Sequence, residues 1–243
     1  VAADMIQAGT ITLVATEDGG VLATDNLTVN AGVTVRSTSG NVILRAGDGV
    51  LINASVTVET TGASGTVEIS SNFGDNDIGA IGVAASDIDI LNLVTIASTK
   101  SGADAITLSS PDLVIDTTGG TNITATANGG GIRLFTDDGS VAMNIGTAAA
   151  GGFEVSDLEL ARLSSFDLLT IGQSGTQSGI ITFQTVTLPV IDADIIANAD
   201  SGAGGIILDD GTNTASALAS TSGNITLNAG TGGILGTDAG ASG

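Results

Sequence analysis

Gly40-Asn41-Val42-Ile43-Leu44-Arg45-Ala46-Gly47-Asp48-Gly49-Val50-Leu51-Ile52-Asn53 holds the pattern that decides the fold. A short apolar stretch meets a Gly-Asp-Gly turn, and a second apolar stretch follows at once. Working backward, Val33-Thr34-Val35-Arg36 leads into the turn Ser37-Thr38-Ser39-Gly40, and Thr10-Ile11-Thr12-Leu13-Val14 precedes Glu17-Asp18-Gly19-Gly20. Working forward, the unit returns as Val56-Thr57-Val58-Glu59, Val67-Glu68-Ile69, Ile88-Asp89-Ile90, Ile106-Thr107-Leu108, Leu113-Val114-Ile115, Ile132-Arg133-Leu134 and Ile181-Thr182-Phe183. Each is an apolar-polar-apolar triplet, the period-2 signature of a strand with one buried face. Near the end, Gly223-Asn224-Ile225-Thr226-Leu227 is almost superposable on Gly40-Asn41-Val42-Ile43-Leu44.

Short strands of this kind also occur in sandwiches, but two features favour a solenoid. The same turn-strand phrase recurs along the whole chain, and aromatic residues and long hairpin strands are scarce. A single winding cannot bury its own apolar face, whereas stacking the next winding does so. The expected fold is all-β, a parallel β-helix. With roughly 20–26 residues per winding, the chain is expected to hold about ten windings in a rod of roughly 45–50 Å. The whole chain, 1–243, reads as one solenoid. Two stretches break the rhythm. Residues 72–85 lack a clear triplet and are expected to leave the rod as a loop. Within 156–163, Ser156 and Glu159 have capping-box spacing, which predicts a short helical turn.

Composition bounds the chemistry. The 243 residues carry 26 acids and 5 bases, a net charge of −21, with no cysteine or histidine. That removes Cys/His zinc sites, thiol chemistry and a Ser-His-Asp triad. The acidic balance argues against nucleic acid and anionic membrane surfaces as partners. No run of eighteen apolar residues predicts membrane insertion. Disorder is excluded by 42% hydrophobic residues, since disordered chains are poor in them. The hydrophobic set is Val, Ile, Leu and Ala, with aromatics at 2%, which suits a thin core between close-packed strands. Val1 at the start and Gly240-Ala241-Ser242-Gly243 at the end read as a processed product or a piece of a longer protein.

The phrases Gly40 to Val50 and Gly223 to Gly230 resemble the coils of filamentous-haemagglutinin-type proteins. So does the run from Leu158-Glu159-Leu160 through Leu168-Leu169-Thr170-Ile171-Gly172 to Ser178-Gly179-Ile180. The resemblance covers most of the chain, with the stretch from Asn72 to Ala85 outside it. It implies a right-handed parallel β-helix, secretion of a bacterial type, and a place on a long cell-surface adhesin or fibre. Host or matrix glycans are partners it implies. The leading expectation is a non-enzymatic structural segment or filament subunit. An unprotected solenoid end is an open sheet edge, so either further windings or end-to-end self-association would cover it.

Acidic turns supply the candidate metal ligands. Asp75, Asp77, Asp137, Asp138, Asp209 and Asp210 could present oxygen ligands to calcium, although Asp-Gly is equally a turn signal without any metal. No other cofactor is expected. Asp87 with Asp89, Asp192 with Asp194, and Asp157 with Glu159 lie two apart, which on a strand places both on one face. They motivate the alternative, a carbohydrate-acting β-helix enzyme of polysaccharide lyase or hydrolase type. Scattered Thr-x-Thr triplets raise ice binding. Asn26, Asn53, Asn122 and Asn224 open N-x-[ST] sequons.

Overall fold

Like residues stack on like. Ile11, Val42, Val67, Ile106, Ile132, Leu169, Ile195 and Ile225 occupy one row of aligned neighbours. Two positions on, Leu13, Leu44, Ile69, Leu108, Leu134, Ile171, Ala197 and Leu227 form a second row. The computed structural model describes residues 1–17, 25–74, 87–125, 130–146, 152–184, 193–211 and 216–237. Every strand pairing among them is parallel, and one continuous aliphatic cluster forms the core.

Three faces build the stack. The first face stacks β1 (Met5–Gln7), β4 (Thr34–Ser37), β7 (Thr57–Thr60), β10 (Thr95–Ser98), β13 (Asn122–Ala125) and β17 (Leu163–Ser164). The second stacks eight strands: β2 (Ile11–Ala15), β5 (Val42–Ala46), β8 (Val67–Ser70), β11 (Ile106–Ser109), β14 (Gly131–Phe135), β18 (Leu168–Ile171), β20 (Asp194–Ala199) and β22 (Ile225–Ala229). The third is divided into two sheets. One holds β3 (Leu27–Val29), β6 (Val50–Ile52), β9 (Ile88–Ile90) and β12 (Leu113–Ile115). The other holds β16 (Phe153–Ser156), β15 (Met143–Gly146), β19 (Ile181–Gln184), β21 (Gly205–Asp209) and β23 (Gly233–Thr237). This is the parallel β-solenoid expected from the triplets. Eight windings are described where about ten were expected, because windings are longer than the triplets alone require. Val42 and its partner Val67 are 25 residues apart, and Val67 and its partner Ile106 are 39.

Corners repeat as faithfully as strands. Where the first face turns into the second, a buried hydroxyl donates to the carbonyl of the winding below. Ser37 Oγ reaches Gly9 O at 2.9 Å, Thr60 Oγ1 reaches Gly40 O at 2.8 Å, and Ser98 Oγ reaches Gly65 O at 2.9 Å. Ser220 Oγ reaches Ala193 O at 3.0 Å in the same way. Gly40 N and Gly223 N then donate back to Ser37 Oγ and Ser220 Oγ, at 2.8 and 2.9 Å. That explains the shared Ser-Thr-Ser-Gly-Asn phrase. Its glycine is obligatory because a Cβ would lie 2.4 Å from Thr10 N at Gly40 and 1.9 Å from Ala193 O at Gly223.

Where the third face turns into the first, the chain needs a left-handed residue before a buried valine. Gly32 (φ 75°), Ser55 (φ 60°) and Leu93 (φ 58°) supply it ahead of Val33, Val56 and Val94. Glycine takes this conformation freely, whereas a branched bulky residue is strained there. Leu93 is also 55% exposed, so its side chain recovers little by burial.

Two substitutions test this account in a denaturant melt. Leu93→Gly is expected to raise stability by up to about 1 kcal/mol by relieving strain. Gly223→Ala is expected to lower it by at least about 1–3 kcal/mol, because its Cβ has no room.

Candidate functional site

Two acids lie side by side on the third face. Ile88 and Ile90 point into the core from β9, so Asp87 and Asp89 fall together on the outer side, as period-2 spacing demands. They border a groove of about 240 Å³ lined also by Asn26, Thr28, Gly49, Val50 and Leu51. Burial, then the charges of Asp112 and Asp89, push Asp87 up to about 6. Burial also raises Asp89 above the ordinary carboxylate range. A carboxyl with Asp87's value can hold or release a proton near neutral pH, as acid-base chemistry requires.

The other spaced pairs do not assemble in this way. Asp192 lies outside the described residues. Asp194 Oδ1 accepts from Asn224 N at 2.7 Å and Asn224 Nδ2 at 3.1 Å, so it ties one winding to the next. Asp157 and Glu159 sit on the helical turn α1 (Asp157–Leu160) and not on a strand, so spacing of two does not align them. Ser156 and Glu159 form a complete capping box there, with Ser156 N donating to Glu159 Oε2 at 2.8 Å.

Asp75 and Asp77 lie outside the described residues. Asp138 Oδ1 accepts from Ser140 N at 2.8 Å, and Asp209 Oδ1 accepts from Gly211 N at 3.0 Å. Both are side chains satisfying a backbone N–H two residues on, the Asx-turn arrangement. Asp209 Oδ2 also accepts from Gln184 Nε2 at 3.0 Å, and Asp210 follows β21 beside it. Asp137 accepts from Asn72 Nδ2, and burial raises its carboxyl above the ordinary range. These acids belong to separate corners and no described group brings Asp137 and Asp138 together with Asp209 and Asp210.

Stacking assembles a different trio. Carboxylate oxygens of Glu17, Asp25 and Asp48 all lie within 4.8 Å of one another. Ala15 pairs with Ala46, which sets Glu17 above the same corner as Asp48. Asp48 is buried, and its Oδ2 accepts from Asp25 N at 2.7 Å. An all-oxygen trio has the donor chemistry of a hard cation such as calcium. Residues so far apart in sequence meet only through winding register. The signal available beforehand was the alignment of Ala15-Thr16-Glu17 with Ala46-Gly47-Asp48.

Geometry bears on two other sequence features. All four sequon asparagines bond between windings: Asn26 Oδ1 accepts from Gly49 N at 2.8 Å, and Asn53 Nδ2 donates to Val29 O at 3.1 Å. Asn122 Oδ1 accepts from Ser164 Oγ at 2.5 Å, and Asn224 bonds to Asp194 as above. Their amides hold the stack. On the second face, the outward row runs Thr12, Ile43, Glu68, Thr107, Arg133, Thr170, Ile196 and Thr226. Threonines there alternate with apolar and charged residues and make no flat Thr array.

Among the described residues, no helix is long and apolar enough to cross a membrane. Comparison with models of known protein families, with curated proteins and with solved structures found no match to the chain.

Asp87 carries a pH prediction. Its carboxyl is raised from 3.8 to about 6 in the fold, so its contribution to stability is lost as pH rises through that window. Asp87→Asn removes the loss. The variant should exceed the native chain in melting stability at pH 7.5, by about 1 kcal/mol after solvent screening, and match it near pH 4. Separately, Asp48→Ala leaves the Asp25 N–H without its acceptor and should cost about 1–3 kcal/mol in a denaturant melt.

Proposed function

We propose that this chain is a structural rod: a segment of a large adhesin-like protein at a bacterial cell surface, or a filament subunit of the same kind. The observation that carries the reading is the uninterrupted parallel stack, eight strands in register on the second face over one aliphatic core, and its last described winding shows what such a stack offers at an open edge. Ile195 and Ile206 are buried in the winding beneath, whereas Ile225 and Ile234, next in the same rows, are 41% and 53% exposed. A row of unpaired backbone groups flanked by exposed apolar side chains is a template for another strand. Further windings, or a second copy meeting it end to end, would bury that edge with the same aliphatic rows used throughout. The acidic, hydrated flanks would keep parallel rods apart sideways. The resemblance to filamentous-haemagglutinin-type coils, resting on the Gly-Asn-x-x-Leu phrases, supports a secreted surface location. Glycan contact would occur along the outer faces.

A second reading is favoured by the groove at Asp87 and Asp89. Two neighbouring carboxyls of raised proton affinity suit acid-base work on a polysaccharide. Activity on acidic polysaccharides that disappears in Asp87→Asn and Asp89→Asn would establish it in place of the structural role.

Electron microscopy of the purified chain tests the rod. Eight windings at ~4.8 Å predict rods at least roughly 40 Å long. Rods that join end to end, and stay single in Ile225→Lys/Ile234→Lys, support the filament subunit. Single rods in both support the segment of a longer protein. Rounded particles without an elongated axis overturn both.

A further inference from the structure

We propose that the stack opens first at one internal seam, between β12 and β16, where carboxylates stand in for the backbone ladder. The inference concerns the rod itself and holds whatever the rod serves.

Below the seam the third face follows one rule. Leu27 N, Val50 N and Ile88 N each donate to a carbonyl of the next winding, Gly49 O, Asp87 O and Asp112 O, at 3.0, 3.0 and 3.2 Å. At β12 the rule stops. Leu113 N turns to its own neighbour's side chain, Asp112 Oδ1, at 2.9 Å, and Ile115 N reaches Glu159 Oε1 at 3.0 Å. From above, Glu154 N also donates to Asp112 Oδ1 at 2.9 Å, and Ser156 N donates to Glu159 Oε2. Two carboxylates therefore bridge the two sheets, each accepting from both sides. The first and second faces run through the same level without a break.

The cause is an extra layer. β15 and β16 are consecutive in the chain and both lie on the third face. That face carries nine strands where the second carries eight. One added strand thickens one side by ~4.8 Å, so backbone groups across the misfit no longer meet. Bulky side chains of the added layer are buried: Phe153 on β16 and Leu160 on α1.

The clamps are also loaded by like charge. Asp112 is faced by Asp87, just before β9, by Asp89 of β9 and by Glu159 of α1. Burial raises Asp112 despite its two N–H donors. Asp87 is pushed up to about 6, so its charge, and with it its repulsion of Asp112, falls as it takes up a proton below that window. Opening the seam returns Asp112 and its neighbours to water and releases the repulsion.

Native-state amide hydrogen exchange on the full chain reads this directly. At pH 7.5, the amides of Leu113, Ile115, Glu154 and Ser156 should exchange at least about tenfold faster than those of Val50 and Ile88 after correction for intrinsic rates. Asp87→Asn, which keeps every clamp bond, should slow the seam amides severalfold and leave Val50 unchanged. At pH 5 the native chain should approach the variant. Seam amides as protected as the ladder, or exchange indifferent to Asp87→Asn, would overturn the proposal.

Discussion

Register between windings is the constraint on which everything else rests. Each strand is only a few residues long and would be marginal alone. What makes it stable is that the residue above and the residue below are of the same kind, so each inward side chain is sealed by its neighbours. Rows such as Val35, Val58, Ile96 and Ile123 show how narrow the choice is. A thin core is filled by β-branched and Leu side chains with few gaps. The same register brings hydroxyls over carbonyls at corners and asparagines over asparagines, as where Asn228 Nδ2 donates to Asn198 Oδ1 at 2.8 Å. Polar groups that would be costly to bury are paired because the winding beneath offers the identical site.

The fold was legible because its signal is local and repeated. Val42-Ile43-Leu44 and Ile225-Thr226-Leu227 both announce a strand, and Ser37 to Gly40 and Ser220 to Gly223 both announce the corner that feeds it. Length between corners was not legible, since the triplets say nothing about how far a turn wanders. The site was legible only in part. Asp87 and Asp89 share one strand, so spacing sufficed. Glu17, Asp25 and Asp48 are joined by stacking, which spacing within a segment cannot reveal. Asp138 and Asp209 were candidates for metal because acidic turns look alike, whether they hold an ion or a backbone N–H.

Many acids among the described residues have a structural use of this second kind. Asp4 Oδ1 accepts from Thr34 N at 2.8 Å, Asp116 Oδ1 from Thr118 N at 2.6 Å, and Asp200 Oδ1 from Gly175 N at 2.7 Å. A carboxylate accepts more bonds than a hydroxyl and does so with charge assistance, which makes it an efficient end-stop for a corner. The strongly negative charge is thus partly a by-product of a fold with many corners, and it needs no acidic or basic ligand to explain it.

Corner length has a separate consequence. Because the rows are set by three or four residues per strand, the segment between them is nearly invisible to the core. The 25-residue and 39-residue windings on either side of Val67 seal it equally well. An insertion at a corner therefore adds a new exposed surface without disturbing the packing that holds the axis together. Such a scaffold can be redecorated piece by piece, acquiring or discarding contact surfaces while its backbone chemistry stays unchanged.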